Sequence, residues 1–141
     1  MPTDTPDDVL PWLSRDFRPA DGPALYQLWQ DALAARGQAL AELDTQTFCH
    51  RLGEDWVRVM CAPDGALLGF GAIALPGQIT WLVTAAGYER RGIATTLLAD
   101  LDFLAGAMGA RHVMADVPPS AEGFFIRRGF SGRGRMEKRL S

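Results

Sequence analysis

The sequence predicts an α/β fold, a mixed central sheet with helices on both faces. Three observations predict it. Apolar residues recur at steps of two in some stretches and at steps of three and four in others. Short stretches rich in β-branched residues, bounded by Gly, Pro and Asp, alternate with longer helical stripes. The chain has 141 residues, 48% hydrophobic and 22% charged, enough for one core and too few for two. The predicted order is β-α-α-β-β-β-α-β-α-β without internal repeat, in a single domain over residues 12–141.

Residues 1–11, MPTDTPDDVLP, are acidic and proline-bearing and read as a flexible N-terminal arm. Trp12 to Arg18 is the first expected strand. Asp21 suits an N-cap and Pro23 a first turn. The helix they open runs to about Ala35, with Leu25, Leu28, Trp29, Ala32 and Leu33 inward, and Gly37 ends it. Asp44 caps a second helix through Leu52, closed by Gly53. Trp56 to Cys61 alternates, placing Val57, Val59 and Cys61 on one face, so Cys61 reads as core rather than nucleophile. Pro63-Asp64-Gly65 is a hairpin turn. Ala66 to Leu75 is the next strand, with Gly69 and Gly71 as a twist or bulge site. Pro76-Gly77 turns the chain into a third strand, completing an antiparallel meander. After a long helix, His112 to Val117 sets Val113, Ala115 and Val117 opposite His112, Met114 and Asp116. Pro118-Pro119-Ser120 opens a last helix to Arg128. Gly129 caps it, and Phe130 to Leu140 returns as closing strands around Gly132 and Gly134.

Residues 78–108 are the centre of this plan. Ile79 to Thr84 reads as a mostly buried strand. Ile93, Leu97, Leu98, Leu101, Leu104, Ala105 and Met108 form one helical stripe that Gly109 stops. This helix and the 112–117 strand form a crossover, so the two strands should lie adjacent and parallel, joined right-handed. Between the first strand and the helix stands Glu89-Arg90-Arg91-Gly92-Ile93-Ala94. Gly92 allows a ligand to approach the backbone. The first N–H groups of the helix, at Ile93, Ala94 and Thr95, lack intrahelical acceptors and favour an anion. Arg90 and Arg91 add charge-assisted donors. Two readings stand: a pyrophosphate cradle, or an ordinary turn with solvated arginines. Neither a Gly-Lys-Ser/Thr loop nor a full G-x-G-x-x-G is present.

The net charge of −3 and pI near 5.3 argue against a nucleic-acid binder. No apolar run reaches the ~20 residues of a membrane span, and no signal peptide is evident. The two cysteines, Cys49 and Cys61, form no metal spacing and are expected reduced, with a cytoplasmic location as the default.

The Arg-Gly turn resembles motif A of the GNAT N-acetyltransferases, Gln/Arg-x-x-Gly-x-Gly/Ala. Gly92 and Ala94 match, and Glu89 replaces the usual Gln or Arg. Ala121 to Phe130, AEGFFIRRGF, resembles motif B, and the spacing between the motifs suits the family. Phe17-Arg18-Pro19-Ala20-Asp21 resembles its first strand running into its first helix. The resemblance covers about Trp12 to Leu140. It implies the GNAT architecture, acetyl-CoA as co-substrate, no metal, and a primary amine of a small molecule or peptide as acceptor. The first two helices would build the acceptor wall. The chain would be a monomer or homodimer, with no nucleic acid or membrane partner. By the same resemblance, a bulge in the 79–84 strand opens the sheet. Backbone groups of Leu82, Val83 and Thr84 then hold the pantetheine arm, completing a cofactor set with Arg90, Arg91, Gly92, Ile93, Ala94 and Thr95.

The chain departs from the family at the general acid. Phe125 stands where many relatives keep Tyr, and Pro118 where they keep Asn. Neither can donate a side-chain hydrogen bond. Tyr26 and Tyr88 are the only tyrosines. Ser120 is a substitute donor, or simply a helix cap. For the base, Asp116 ranks ahead of His112, His50 and Asp44, each of which also reads as an ordinary surface group. Arg127, Arg128, Arg133, Arg135, Lys138 and Arg139 read as a solvated face, with a contact to the cofactor's ribose phosphate as the lesser reading. The departures at Phe125 and Pro118 keep an alternative open, a CoA-binding regulatory module with little catalysis. A nucleotide-binding module is a third reading, without its fingerprint.

Overall fold

The computed structural model describes residues 12–40 and 42–140; the expected N-terminal arm lies outside them. The strands are β1 (Leu13–Asp16), β2 (Trp56–Cys61), β3 (Leu67–Ala74), β4 (Gln78–Thr84), β5 (His112–Asp116), β6 (Ser131–Arg133) and β7 (Arg135–Arg139). They form one sheet in the order β1-β2-β3-β4-β5-β7-β6. Among the described residues only the β4–β5 pair is parallel, and the other five pairs are antiparallel. The helices are α1 (Gly22–Ala35), α2 (Thr45–Gly53), α3 (Ile93–Ala107) and α4 (Glu122–Ile126). The expected mixed sheet and the parallel 79–84 and 112–117 strands are therefore present.

The two faces bury different chemistry. Against α1 and α2 lies an aromatic cluster. Phe48 is fully buried and stacks on Trp29 at 5.4 Å, while Trp81 meets Trp29 edge-on at 4.8 Å. Such pairs add ~0.5–1.5 kcal/mol beyond the area they bury. The other face is aliphatic, with Leu98, Leu101 and Ala105 of α3 packed on Ile79, Val113 and Ala115. Phe125 and Phe130 meet edge-on at 5.1 Å within it.

Several local expectations change for physical reasons. β1 is shorter than Trp12–Arg18, because Pro19 to Asp21 already coil as a 3-10 turn. Asp21 does not cap α1. Its carboxylate accepts two bonds from Arg15, at 2.8 and 2.9 Å, and one from the Arg18 N–H at 2.8 Å. Trp29 and Leu33 are half-buried, and Gln30 is buried instead. Asp44 does cap α2, accepting from the Thr47 N–H at 2.7 Å.

Gly69 and Gly71 are needed mainly for close packing. A Cβ on Gly69 would stand 2.8 Å from the Val83 oxygen and 2.9 Å from Ile93 Cγ2; one on Gly71 would stand 3.1 Å from Leu101 Cδ1. Without side chains there, α3 settles onto the sheet. Arg58 ties the edge to that helix, donating to Asp16, Ser14 and Asp100. The last helix ends at Ile126 rather than Arg128, after a 3-10 turn at Pro119–Ala121.

Candidate active site

The sheet comes apart at its parallel pair. β4 pairs with β3 from Gln78 to Thr84, but with β5 only at Gln78↔Met114 and Ile79↔Ala115. Two local causes are visible. In the β3 ladder Ile79 faces Ile73 and Trp81 faces Ala72, so Thr80 is an extra residue that bends β4. On the other side, Pro118 and Pro119 have no N–H to donate. The Val117 N–H goes instead to the Gly134 oxygen at 2.6 Å, drawing the end of β5 toward β7. Beyond Ile79, one edge of β4 faces open space.

That space is a cleft of about 680 Å³. Thr80, Trp81, Leu82 and Thr84 line it from β4, and Ala115 and Asp116 from β5. The turn before α3 closes one end. In it Gly87, Arg90 and Gly92 all have positive φ, of 87°, 64° and 85°. Gly92 is the N-cap residue of α3 and no side chain caps that end. The turn therefore leaves the first N–H groups of α3 to an outside acceptor. Glu89 accepts from the Gly87 N–H at 3.0 Å and so buttresses the turn.

Of the expected cofactor residues, Leu82, Thr84, Arg90, Gly92, Ile93, Ala94 and Thr95 line the cleft. Val83 and Arg91 do not. Val83 alternates to the far face and packs with the aromatic cluster. Arg91 is exposed, its guanidinium 5.3 Å from the centre of the Tyr88 ring. Both catalytic candidates, Asp116 and Ser120, line the cleft and are exposed. Asp116 accepts from Arg135 at 3.2 Å, and Arg135 also donates to Gln78 at 3.0 Å. Ser120 sits inside the 3-10 turn and caps nothing; the residue before α4 is Ala121.

The other candidate bases lie outside the cleft lining. His112 pairs with Glu137 at 3.1 Å and His50 with Glu54 at 3.8 Å. Bonds from the Thr47 N–H and hydroxyl hold the Asp44 carboxyl below its ordinary pKa, which makes it a poor proton acceptor.

Two residues, Tyr88 and Arg36, came to the site without a sequence signal for it. Tyr88 lines the cleft, held edge-on by Trp12 at 6.4 Å. Arg36, the residue after α1, lines it as well. Arg128, read first as solvated and second as a cofactor contact, lies 3.9 Å over the Phe124 ring and donates to Thr95 Oγ1 at 2.6 Å. It thereby joins α4 to the first turn of α3. Among the described residues its Nε is buried without a hydrogen-bond partner. The basic tail is not one solvated face. Arg127 and Arg128 line the cleft, Arg135 pairs with Asp116, and Lys138 pairs with Asp102 at 2.8 Å. Phe125, 6% exposed, lines the cleft and has no side-chain donor.

The profile of the Acetyltransferase (GNAT) family matches residues 7–130. The chain belongs to that family. Solved structures agree on the fold. A GCN5-related N-acetyltransferase from Rhodopseudomonas palustris superposes with a TM-score of 0.82 at 23% identity, over 91% of this chain and 95% of that one. A Mycobacterium tuberculosis protein solved in complex with CoA gives 0.74 at 19% identity, over 92% and 99%. The ribosomal-protein-S18-alanine N-acetyltransferase of Escherichia coli gives 0.75 at 18% identity, over 92% and 94%. No curated protein matches the chain. None of the described helices is long and apolar enough to cross a membrane.

Proposed function

We propose that this GNAT protein transfers an acetyl group from acetyl-CoA to a primary amine of a small molecule or peptide. One observation carries the reading: β4 loses its parallel partner after Ile79, and the gap opens beside the uncapped N-terminus of α3. A sheet edge left unpaired inside a protein calls for a ligand that hydrogen-bonds to backbone.

The residues suit acetyl-CoA. The N–H groups at Ile93, Ala94 and Thr95, with Arg90 beside them, would hold the pyrophosphate. Gly92, with φ 85°, takes a conformation that side-chain-bearing residues rarely adopt. The edge of β4 at Leu82 to Thr84 would pair with the amides of the pantetheine arm. Bound there, acetyl-CoA supplies a thioester whose carbonyl carbon the amine attacks. A β4 N–H aimed at that carbonyl oxygen would stabilise the charge it gains. Asp116, on the opposite lip, is the proposed acceptor of the amine's proton. Phe125 offers no acid, so the sulfur departs as thiolate or takes its proton from water, the amine or Ser120; thiol pKa values near ~8.5 make this tolerable.

The lack of a donor at Phe125 also favours a second reading, a CoA-binding module with little catalysis. Calorimetry with acetyl-CoA, followed by thiol release against a panel of amines, separates the two. Binding with turnover supports the enzyme. Binding without thiol release from any amine supports the module, and no binding removes both. The unpaired Cys49 and Cys61 suit the reducing cytoplasm, where we place the reaction.

A further inference from the structure

The geometry points to an acceptor that carries a carboxylate beside its amine, held by Arg36. This inference rests on the acetyltransferase reading and narrows it.

The cleft draws its lining from both faces of the sheet. Arg90 precedes α3, and Arg127 and Arg128 follow α4, all on the aliphatic face where the anion cradle lies. Arg36 comes from the opposite face. It follows α1, which packs with α2 over the aromatic cluster. Gly37, with φ 71°, turns the chain away directly after it. Arg36 is exposed, and among the described residues its side chain makes no ion pair or hydrogen bond. Phosphates seated at α3 account for cations on the α3 side. They do not account for one on the α1 side.

The charge balance points the same way. Four arginines line the cleft against two carboxylates, Glu89 and Asp116, in a chain whose net charge is −3. Glu89 is already bonded to the turn and Asp116 to Arg135. With the α3-side arginines matched to phosphates, Arg36 is the cation left for the acceptor, and a simple alkylammonium gains nothing from it. An amine that brings its own carboxylate arrives without net positive charge. A guanidinium presents parallel N–H donors that match one carboxylate. Trp81, set edge-on to Trp29, also lines the cleft and adds apolar surface to it. The acceptor class is therefore a small amino acid or an amine of like form.

The test uses pairs that differ only by the carboxylate: phenylalanine against phenethylamine, and leucine against isopentylamine. Thiol release from acetyl-CoA gives kcat/KM for each. The carboxylated partner should be preferred by at least about tenfold, equivalent to ~1.4 kcal/mol. In Arg36→Ala that ratio should fall toward one, through KM, and Arg36→Lys should restore part of it. Arg36 is an exposed residue after a helix end, so both variants should fold, which a thermal melt checks. Equal or faster turnover of the carboxylate-free amines overturns the inference while leaving the acetyltransferase reading in place. A preference that survives Arg36→Ala also overturns it. So does a tenfold loss of acetyl-CoA affinity in Arg36→Ala with the ratio unchanged, which would make Arg36 a cofactor contact. Thiol release from no amine at all, with acetyl-CoA still bound, instead overturns the activity itself and this inference with it.

Discussion

The two edges of β4 do opposite things with the same backbone. Toward β3 the strand is paired along its whole length, with one extra residue at Thr80. Toward β5 it is paired at two positions and then abandoned. The β3 side is backed by fully buried Phe70, Ala72 and Phe48. The β5 side is lined by exposed arginines, a glycine turn and a helix end without a cap. The packed core backs one edge, and the proposed binding site lies along the other. Substitutions on the two sides should therefore separate folding from function.

The largest effect is expected on the paired side. Phe48→Ala removes the centre of the aromatic cluster and should cost ~3–5 kcal/mol in a denaturant titration. A loss below ~1 kcal/mol would mean the cluster is not the core its burial implies. On the open side, Gly92→Val should weaken acetyl-CoA binding by more than ~1.4 kcal/mol, or tenfold, by calorimetry. Its backbone at φ 85° adds a folding cost of order 1–3 kcal/mol. Unchanged affinity in a folded Gly92→Val would break the comparison. Arg91→Ala, which lies outside the cleft lining, should weaken binding less.

A smaller effect distinguishes structural charges from site charges. Hydrogen bonds from Arg15, joined by the Arg18 N–H and opposed by burial, hold the Asp21 carboxyl below its ordinary pKa. The ordinary value is near ~3.9, and a depressed folded value means the contribution is whole above that pH and lost as pH falls through the folded pKa. Asp21→Asn should flatten the stability curve below about pH 4 and leave acetyl-CoA affinity alone. An unchanged acid limb would show that the pair with Arg15 contributes nothing. The smallest effects concern the missing acid. Phe125→Tyr should raise turnover modestly with affinity nearly unchanged, since acid assistance reaches ~100-fold only when proton transfer limits the rate. Ser120→Ala should be nearly silent in both turnover and stability. A loss of turnover beyond any loss of stability would make Ser120 the acid.

The element order was legible because periodicity reports burial, and burial decided these elements. The alternation of Val113, Ala115 and Val117 and the stripe of α3 both face the core as expected. Asp21 was misread because a carboxylate near a helix start has two good partners, and Arg15 is distant enough in sequence to be overlooked. The Arg-Gly turn was legible through Gly92, whose φ is one that glycine favours. The two-residue extent of the β4–β5 pairing was not legible. It depends on the Val117 N–H finding Gly134, a contact no local pattern encodes. Arg36 was missed for the same reason, and Arg128 was ranked as solvated first. A charged residue reads as solvated until the fold shows what stands across from it.

Backbone hydrogen exchange of the protein with and without acetyl-CoA tests the unpaired edge most directly. The amides from Leu82 to Thr84 that point away from β3, and those of Ile93 to Thr95, should gain protection when acetyl-CoA binds. Those of Phe70 and Ala72, already paired, should not change. Protection confined to another part of the chain, or binding that leaves Leu82 to Thr84 and Ile93 to Thr95 exchanging as before, would contradict the assignment of this edge to the cofactor.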